Sequence, residues 1–138
     1  MRRTTTVPAV LLAVLMLGGA VGCSKSPDEQ AADCAAALAD RTGSKPADAP
    51  TIGEAKKRVD ALDKELAGMV SKGYASMASD AYDAVEKRAQ VKKGRPGACG
   101  ALSKDDYNAL LMATAVDGLG WTDGDGQFDK LKMAEGLD

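Results

Sequence analysis

Few side chains in this sequence have the type and spacing that chemistry requires. The chain contains no histidine, and so it lacks the commonest general base and the commonest metal ligand of proteins. No serine occupies a Gly-x-Ser-x-Gly elbow or lies three residues before a lysine, and no glycine-rich phosphate loop follows a strand pattern. Most acidic residues lie at helical spacing from a lysine or an arginine, which argues against the paired carboxylates of a glycosidase. We therefore expect neither enzymatic activity nor a bound cofactor.

Aspartates near the C-terminus form the one cluster that suggests a metal. Asp123 and Asp125 alternate like the first ligands of an EF-hand calcium loop, and Asp129 follows. Counted from Asp123, however, the sixth position is Phe128 where a glycine is needed, and the twelfth is Ala134 where a glutamate belongs. The simpler interpretation is that Asp-Gly-Asp-Gly forms tight turns, because aspartate bonds its own backbone and glycine adopts positive φ. We favour turns and keep these three aspartates as weak calcium candidates.

The first 22 residues have the order of an export signal. Basic Arg2 and Arg3 precede an apolar run over residues 7–17, and small residues fill 18–22. As a helix, residues 7–21 would extend roughly 22 Å, short of the roughly 30 Å hydrocarbon layer of a membrane. A twin-arginine signal would continue with an apolar pair where threonines stand here, so general secretion is favoured.

The junction Ala20-Val21-Gly22-Cys23 resembles the lipobox of bacterial lipoproteins. This resemblance implies a signal peptide over 1–22 and a mature chain that begins at Cys23, which would carry a diacylglyceryl thioether and in some cases an amide-linked acyl chain such as palmitate. Two or more acyl chains anchor a protein stably, whereas one binds only marginally. The implied location is the extracytoplasmic face of the cell membrane. The alternative is ordinary signal cleavage near the same small residues.

The chain has three cysteines, an odd number that is unusual in an exported protein. With Cys23 assigned to lipid by the lipobox resemblance, Cys34 and Cys99 remain, and an oxidising compartment favours a disulfide between them. Closing a loop of that length would stabilise the fold by about 4 kcal/mol. The alternative is two unrelated buried thiols.

Composition limits the possible partners and the size of the core. Removing Arg2 and Arg3 changes the formal charge from -2 to -4, and this mild acidity argues against nucleic acid, which selects basic surfaces. Alanine supplies much of the apolar fraction, while Leu, Ile, Val and Phe are sparse after residue 22. A core with so few large side chains is marginal, and so we expect the disulfide to matter for stability.

After a short tether over residues 23–26, the pattern predicts a single all-α domain over 27–138, a small bundle of about four short helices. Ser26 and Glu29 form a capping box that starts the first helix, which ends at Gly43 and carries Cys34 near its middle. A loop follows to residue 50, and Thr51 caps the second helix.

The second and third helices show apolar stripes, with acid–base pairs expected on the outer faces. Glu54 with Arg58 on the second helix is such a pair, and we expect both side chains to be solvated. Gly73 is predicted to break the segment 52–93 into two helices, the alternative being one continuous helix. The stripes are Ala55, Val59, Leu62, Leu66 and Met69 or Val70 on the second helix, and Met77, Ala78, Ala81, Tyr82, Val85 and Ala89 on the third.

The fourth helix, capped by Ser103, has no charge over residues 109–116, and a helix that is apolar all round is normally central. We expect the other three helices to enclose it. The C-terminal stretch should form turns and a short final helix that lay Trp121, Phe128 and Leu131 over an open end of the bundle.

These observations predict a non-enzymatic lipoprotein of the cell envelope, with a structural role or one that requires contact with another envelope protein. The alternative is a module for a small ligand or calcium, using the segment from Trp121 to Asp129. A basic run could contact anionic lipid head groups or, as the favoured explanation, compensate helix C-termini; it comprises Lys87, Arg88, Lys92, Lys93 and Arg95.

Overall fold

The computed structural model describes residues 25–138, and so the leader and Cys23 lie outside the described residues. Over this range the chain is all-α, with four longer helices and a short final one. The helices are α1 (Pro27–Thr42), α2 (Ile52–Ser71), α3 (Ala75–Ala89), α4 (Lys104–Gly118) and α5 (Lys130–Leu137). Short 3-10 turns occur at Pro46–Asp48, Val91–Lys93 and Gly97–Cys99. Between residues 25 and 138, no helix is both long enough and apolar enough to cross a membrane.

Local hydrogen bonds fix the ends of the helices where the sequence predicts them. Ser26 starts α1 and Thr51 starts α2, each in a reciprocal capping box with the glutamate three residues later. Ser103 starts α4 by accepting a hydrogen bond from the backbone N–H of Asp106. At the other end of α1, Gly43 takes a left-handed φ of 77°, a conformation that glycine adopts without strain.

The predicted break at Gly73 is confirmed. α2 ends at Ser71, Gly73 has a φ of 91°, and α3 begins at Ala75. The third helix is shorter than expected, because Gln90 turns into the left-handed region with a φ of 51°. Its side-chain amide donates to the carbonyl of Arg41 at 2.8 Å, which holds this end of α3 against the end of α1.

The apolar helix α4 is the centre of the bundle, as predicted, and it packs against α1, α2 and α3. Its residues Leu110 and Val116 are fully buried, together with one large side chain from each outer helix: Leu38, Leu62 and Val85. The hydroxyl of Thr114 is buried and donates to the carbonyl of Leu110, so this polar group is not left unpaired.

A disulfide joins Cys34 of α1 to Cys99, and the predicted pairing is confirmed. Both cysteines are completely buried. The bond holds the Gly97–Cys99 turn against the middle of α1 and closes a loop with a sequence separation of 65. The fold is therefore covalently closed close to where the central helix begins.

Three side chains that were expected in the core face water instead. The buried face of α3 follows Ala78, Ala81, Val85 and Ala89. Met77 and Tyr82 each lie one position, and so about 100° of rotation, from a residue at the centre of this face; both are exposed, Tyr82 by 43%. On α5, Met133 is buried and Leu131, two positions earlier, points the other way and is 68% exposed. Trp121 is buried and Phe128 packs against the core, as expected.

Candidate functional site

Asp117, in the last turn of α4, connects three segments at one end of the bundle. Its carboxylate accepts hydrogen bonds from the buried hydroxyls of Ser44 and Thr122, the latter at 2.5 Å. The backbones are also in contact here, because a Cβ added at Gly118 would lie only 2.1 Å from the carbonyl oxygen of Thr42. The loop after α1, the end of α4 and the segment after α4 therefore form one unit.

The segment after α4 folds into a hairpin-like turn around Asp123. One carboxylate oxygen of Asp123, Oδ1, accepts hydrogen bonds from the backbone N–H groups of Asp125 and Gln127, both at 2.9 Å. Gly126 supplies the positive φ of 73° that the turn needs. A backbone bridge between Thr122 and Phe128 closes the base. The Asp-Gly-Asp-Gly sequence thus forms the tight turn that its composition predicts.

The weak calcium candidates are not brought together as a ligand set. Asp129 uses Oδ1 to cap α5 through the N–H groups of Leu131 and Lys132, while Asp123 supports its own turn and Asp125 is exposed. Across residues 25–138, no group of three or more histidine, cysteine, aspartate or glutamate side chains is placed to hold a metal ion.

The sequence-based prediction for Arg58 was wrong. The solvated face of α2 was expected to carry it, but only 4% of the residue is exposed. Its Nη1 donates to the carbonyl oxygen of Ala113 on α4 at 2.9 Å, and its Nε has no hydrogen-bond partner in the part of the chain that the structure describes. Glu54, the expected partner, is instead held by Thr51 in the capping box.

The buried guanidinium carries its charge without a close counterion. Neither of the ion pairs found among residues 25–138, Lys25 with Asp33 and Lys56 with Asp106, includes Arg58. Burial lowers the pKa of Arg58. More distant carboxylates raise it and so oppose this shift: Asp117, Glu54, Asp123 and Asp48. An arginine stays protonated even so, and a buried charge without a partner is energetically costly.

A polar pocket of about 540 Å³ opens beside this guanidinium. Its walls come from the loop after α1, the first two turns of α2, the end of α4 and the Asp123 turn. The lining residues are Gly43, Lys45, Ala47, Asp48, Ala49, Glu54, Arg58, Asp117, Thr122, Asp123, Gly124, Asp125, Gly126 and Gln127. The volume falls within the roughly 300–1,000 Å³ typical of small-molecule sites.

The Arg58 pocket includes part of the segment from Trp121 to Asp129 that the sequence suggested for ligand binding. Trp121 itself is buried and does not line it. The basic run on α3 and beyond is exposed, and its last member has local contacts. Arg95 donates to the carbonyl of Cys99 at 2.8 Å and lies over the ring of Tyr107, with 4.8 Å from its Cζ to the ring centroid.

Sequence reasoning missed Arg58 because the residue was classed by its charge. Its position gave the opposite signal: it lies three residues after Ala55 and four before Leu62, both of which are buried. A position at those intervals shares their helix face. An arginine on a buried stripe is therefore a better candidate for function than the exposed aspartates, which the sequence made conspicuous.

No protein-family model matches this chain, and no curated protein or solved structure is significantly similar to it. The function of the Arg58 pocket must therefore be inferred from its own geometry and from the predicted export signal.

Proposed function

We propose that this chain is a non-enzymatic lipoprotein of the cell envelope, anchored through lipid on Cys23 at the extracytoplasmic face of the membrane, and that its helical domain binds a small polar ligand in the Arg58 pocket. The two parts of the proposal have separate support. The proposed location depends on the leader and the lipobox-like junction, and the proposed binding role depends on the pocket.

Support for the anchor comes from the cysteines and from the start of the fold. Because Cys34 and Cys99 are bonded to each other, Cys23 is the cysteine left over for another use. The first helix begins at Pro27, so few residues separate the folded domain from a lipid on Cys23. A tether this short would hold the folded domain close to the lipid surface.

The single observation that carries the binding role is the buried, unpaired guanidinium beside a polar pocket. A buried charge without a counterion destabilises a fold, and so a function in binding would explain why it is present. Perturbed ionisable groups inside concave sites are characteristic of functional positions. A ligand with an anionic group would supply the counterion that residues 25–138 do not provide.

Replacement of Arg58 by methionine tests whether the residue serves stability or binding. We expect the free energy of unfolding of Arg58→Met to equal that of the wild type or to exceed it by up to about 3 kcal/mol, because an apolar side chain of similar size avoids the burial of a charge. Denaturant unfolding of the detergent-solubilised protein measures this. The exposed Arg88→Met is the control, with a change within about 0.5 kcal/mol. A large loss of stability in Arg58→Met would instead make Arg58 a structural residue and remove the binding proposal.

The lipid anchor is tested by Cys23→Ala in cells that receive a labelled fatty acid. We expect the label to be lost and the protein to remain as precursor or to appear in the medium, because no thiol is available for the diacylglyceryl group. Ser24→Ala is the matched control and should keep both label and membrane retention. An unmodified amino end on native protein, found by mass spectrometry, would refute the anchor.

A second candidate function, docking on another envelope protein, is favoured by the tip of the α2–α3 hairpin. Val70, Tyr74 and Met77 are all exposed there, although each is large and apolar. Exposed apolar clusters often mark protein interfaces. Tyr74→Ser should then reduce cross-linking to a membrane partner and leave the Arg58 pocket unaffected, whereas unchanged cross-linking would exclude this surface.

A further inference from the structure

We infer that the ligand of the Arg58 pocket is a zwitterion of the free amino acid type, whose carboxylate pairs with Arg58 and whose ammonium group meets the carboxylates at the pocket rim. This inference depends on the proposed function, that the pocket binds a small ligand, and adds the chemical class of that ligand.

The unpaired edge of Arg58 fits a carboxylate. Nη1 donates to the carbonyl of Ala113, whereas Nε has no partner among the residues that the structure describes. Nη2 borders the Asp123 turn, since a Cβ added at Gly126 would lie 3.1 Å from it. Nε and Nη2 together form the side of a guanidinium that binds a carboxylate through two parallel hydrogen bonds. This edge is therefore the part of the guanidinium that lacks a counterion within residues 25–138.

The rim of the pocket has the opposite charge. Its ionisable lining residues are the cations Lys45 and Arg58 and the acids Asp48, Glu54, Asp117, Asp123 and Asp125, which gives a formal sum of two positive and five negative charges. Asp117 is already occupied by two hydroxyls, and Glu54 by Thr51. Asp48 and Asp125 are exposed, and so they are the carboxylates best placed to meet an ammonium group from solution.

These two features together select a zwitterion over a simple ion. A carboxylate without a cation would have to pass an acidic rim, which repels it. A cation without a carboxylate could lie at the rim but would leave Arg58 buried and unpaired. A molecule that carries both groups satisfies both surfaces, and its pairing with Arg58 is strengthened because that side chain is shielded from water.

The Asp123 turn provides room and a means of access. Gly124 has no atom within 4 Å of an added Cβ, and Gly126 lies against Nη2. Because Nε is buried and Gly126 lies against Nη2, the turn must shift slightly for a carboxylate to reach both nitrogens, and two glycines make such a shift easy. A side chain at position 126 would occupy the space that the carboxylate needs.

The test is calorimetric titration of the detergent-solubilised full-length protein with each of the twenty L-amino acids, followed by the N-acetylated and the carboxamide forms of the tightest binder. We expect at least one free amino acid to bind and both blocked forms to bind at least ten-fold more weakly. Acetate, methylammonium and calcium chloride serve as probes of a single charge and should each bind at least ten-fold more weakly than the amino acid.

Variants separate the two ends of the ligand. Arg58→Lys keeps the charge but loses the two-nitrogen edge, and it should weaken binding at least ten-fold while circular dichroism shows the same helix content. Asp48→Asn and Asp125→Asn should each weaken binding several-fold, and the weakening should disappear for a ligand without its ammonium group. Asp80→Asn on the exposed face of α3 is the matched control and should change nothing.

The outcomes distinguish this inference from the proposed function. If acetate binds as tightly as the amino acid, or if methylammonium or calcium does, the zwitterion is overturned while ligand binding stands. If no probe binds at all, both the zwitterion and the binding role are overturned. Binding of a free amino acid that Arg58→Lys leaves unchanged would also overturn the inference, because the ligand would then lie elsewhere.

Discussion

Two regions of this helical bundle differ in the side chains that they bury. Around the disulfide, Cys34 and Cys99 are completely buried and pack against apolar side chains of the core. Around the Arg58 pocket, the buried groups are polar: a guanidinium with an unpaired Nε, and the hydroxyls that hold Asp117. The covalent bond of the first region stabilises the fold, whereas the buried charge of the second region destabilises it.

The difference indicates how a domain with few large apolar residues can hold a polar site. A small core leaves little free energy of unfolding in reserve, so an unpaired charge would be hard to tolerate unless another part of the chain offset it. The disulfide offsets this cost by limiting the conformational freedom of the unfolded chain. The predictions that follow perturb one region at a time.

The largest effect should come from removing the disulfide. We expect the double variant Cys34→Ala/Cys99→Ala to lose about 4 kcal/mol of unfolding free energy, because the 65-residue separation gives the unfolded chain much entropy to recover. Guanidinium unfolding without reductant measures the loss, and the wild type with reductant should reproduce it. A loss below about 1 kcal/mol would mean that the helices alone hold the bundle, and the contrast between the two regions would no longer stand.

A smaller effect is expected where the backbones of α1 and α4 touch beside the pocket. Gly118→Ala introduces a Cβ that would lie 2.1 Å from the carbonyl oxygen of Thr42, so the two helices must separate, at a loss of about 1–3 kcal/mol. Gly68→Ala is the matched control, since that glycine lies within α2 and an added Cβ would meet no atom within 4 Å. The control should gain about 0.5–1 kcal/mol. Equal stability of the two variants would show that the close contact is not needed.

Much of the bundle follows from local sequence signals, and those predictions hold. The serine and threonine caps, Gly43, and the break at Gly73 each depend on residues within a few positions of one another. The central position of α4 follows from its uncharged middle. The disulfide follows from the odd number of cysteines together with the lipobox resemblance. These features need no knowledge of which helix packs on which.

The Arg58 pocket could not be read from the sequence in the same way. Its parts lie in four separate segments, and only packing brings Ser44, Arg58, Asp117 and Thr122 together. The predictions for Leu131 and Tyr82 were wrong for a related reason. Their residue types suggested burial, but the position of each side chain around its helix makes it exposed. For Arg58, charge suggested exposure although its interval from Ala55 and Leu62 indicated a buried face.

The smallest expected effect is a pH dependence of stability that arises at the rim of the Arg58 pocket. The backbone N–H and the hydroxyl of Thr51 donate to Glu54 at the pocket rim and lower the pKa of its carboxyl from the ordinary value of 4.5. A lowered folded-state pKa contributes stability above the unfolded value and loses it as pH falls through the folded value. The bonded cysteines do not titrate, so the disulfide itself does not respond to acid.

We therefore expect the wild type to lose more unfolding free energy than Glu54→Gln when the pH is lowered from 6 to 3. Because Glu54 is exposed, the difference should stay below about 1 kcal/mol. Asp106→Asn is a useful second variant, since the ion pair with Lys56, 2.7 Å between Nζ and Oδ1, also lowers the pKa of Asp106. Its contribution should add to that of Glu54, because the two carboxylates belong to different caps. If Glu54→Gln lost as much stability in acid as the wild type, the capping box would not couple the pocket rim to pH.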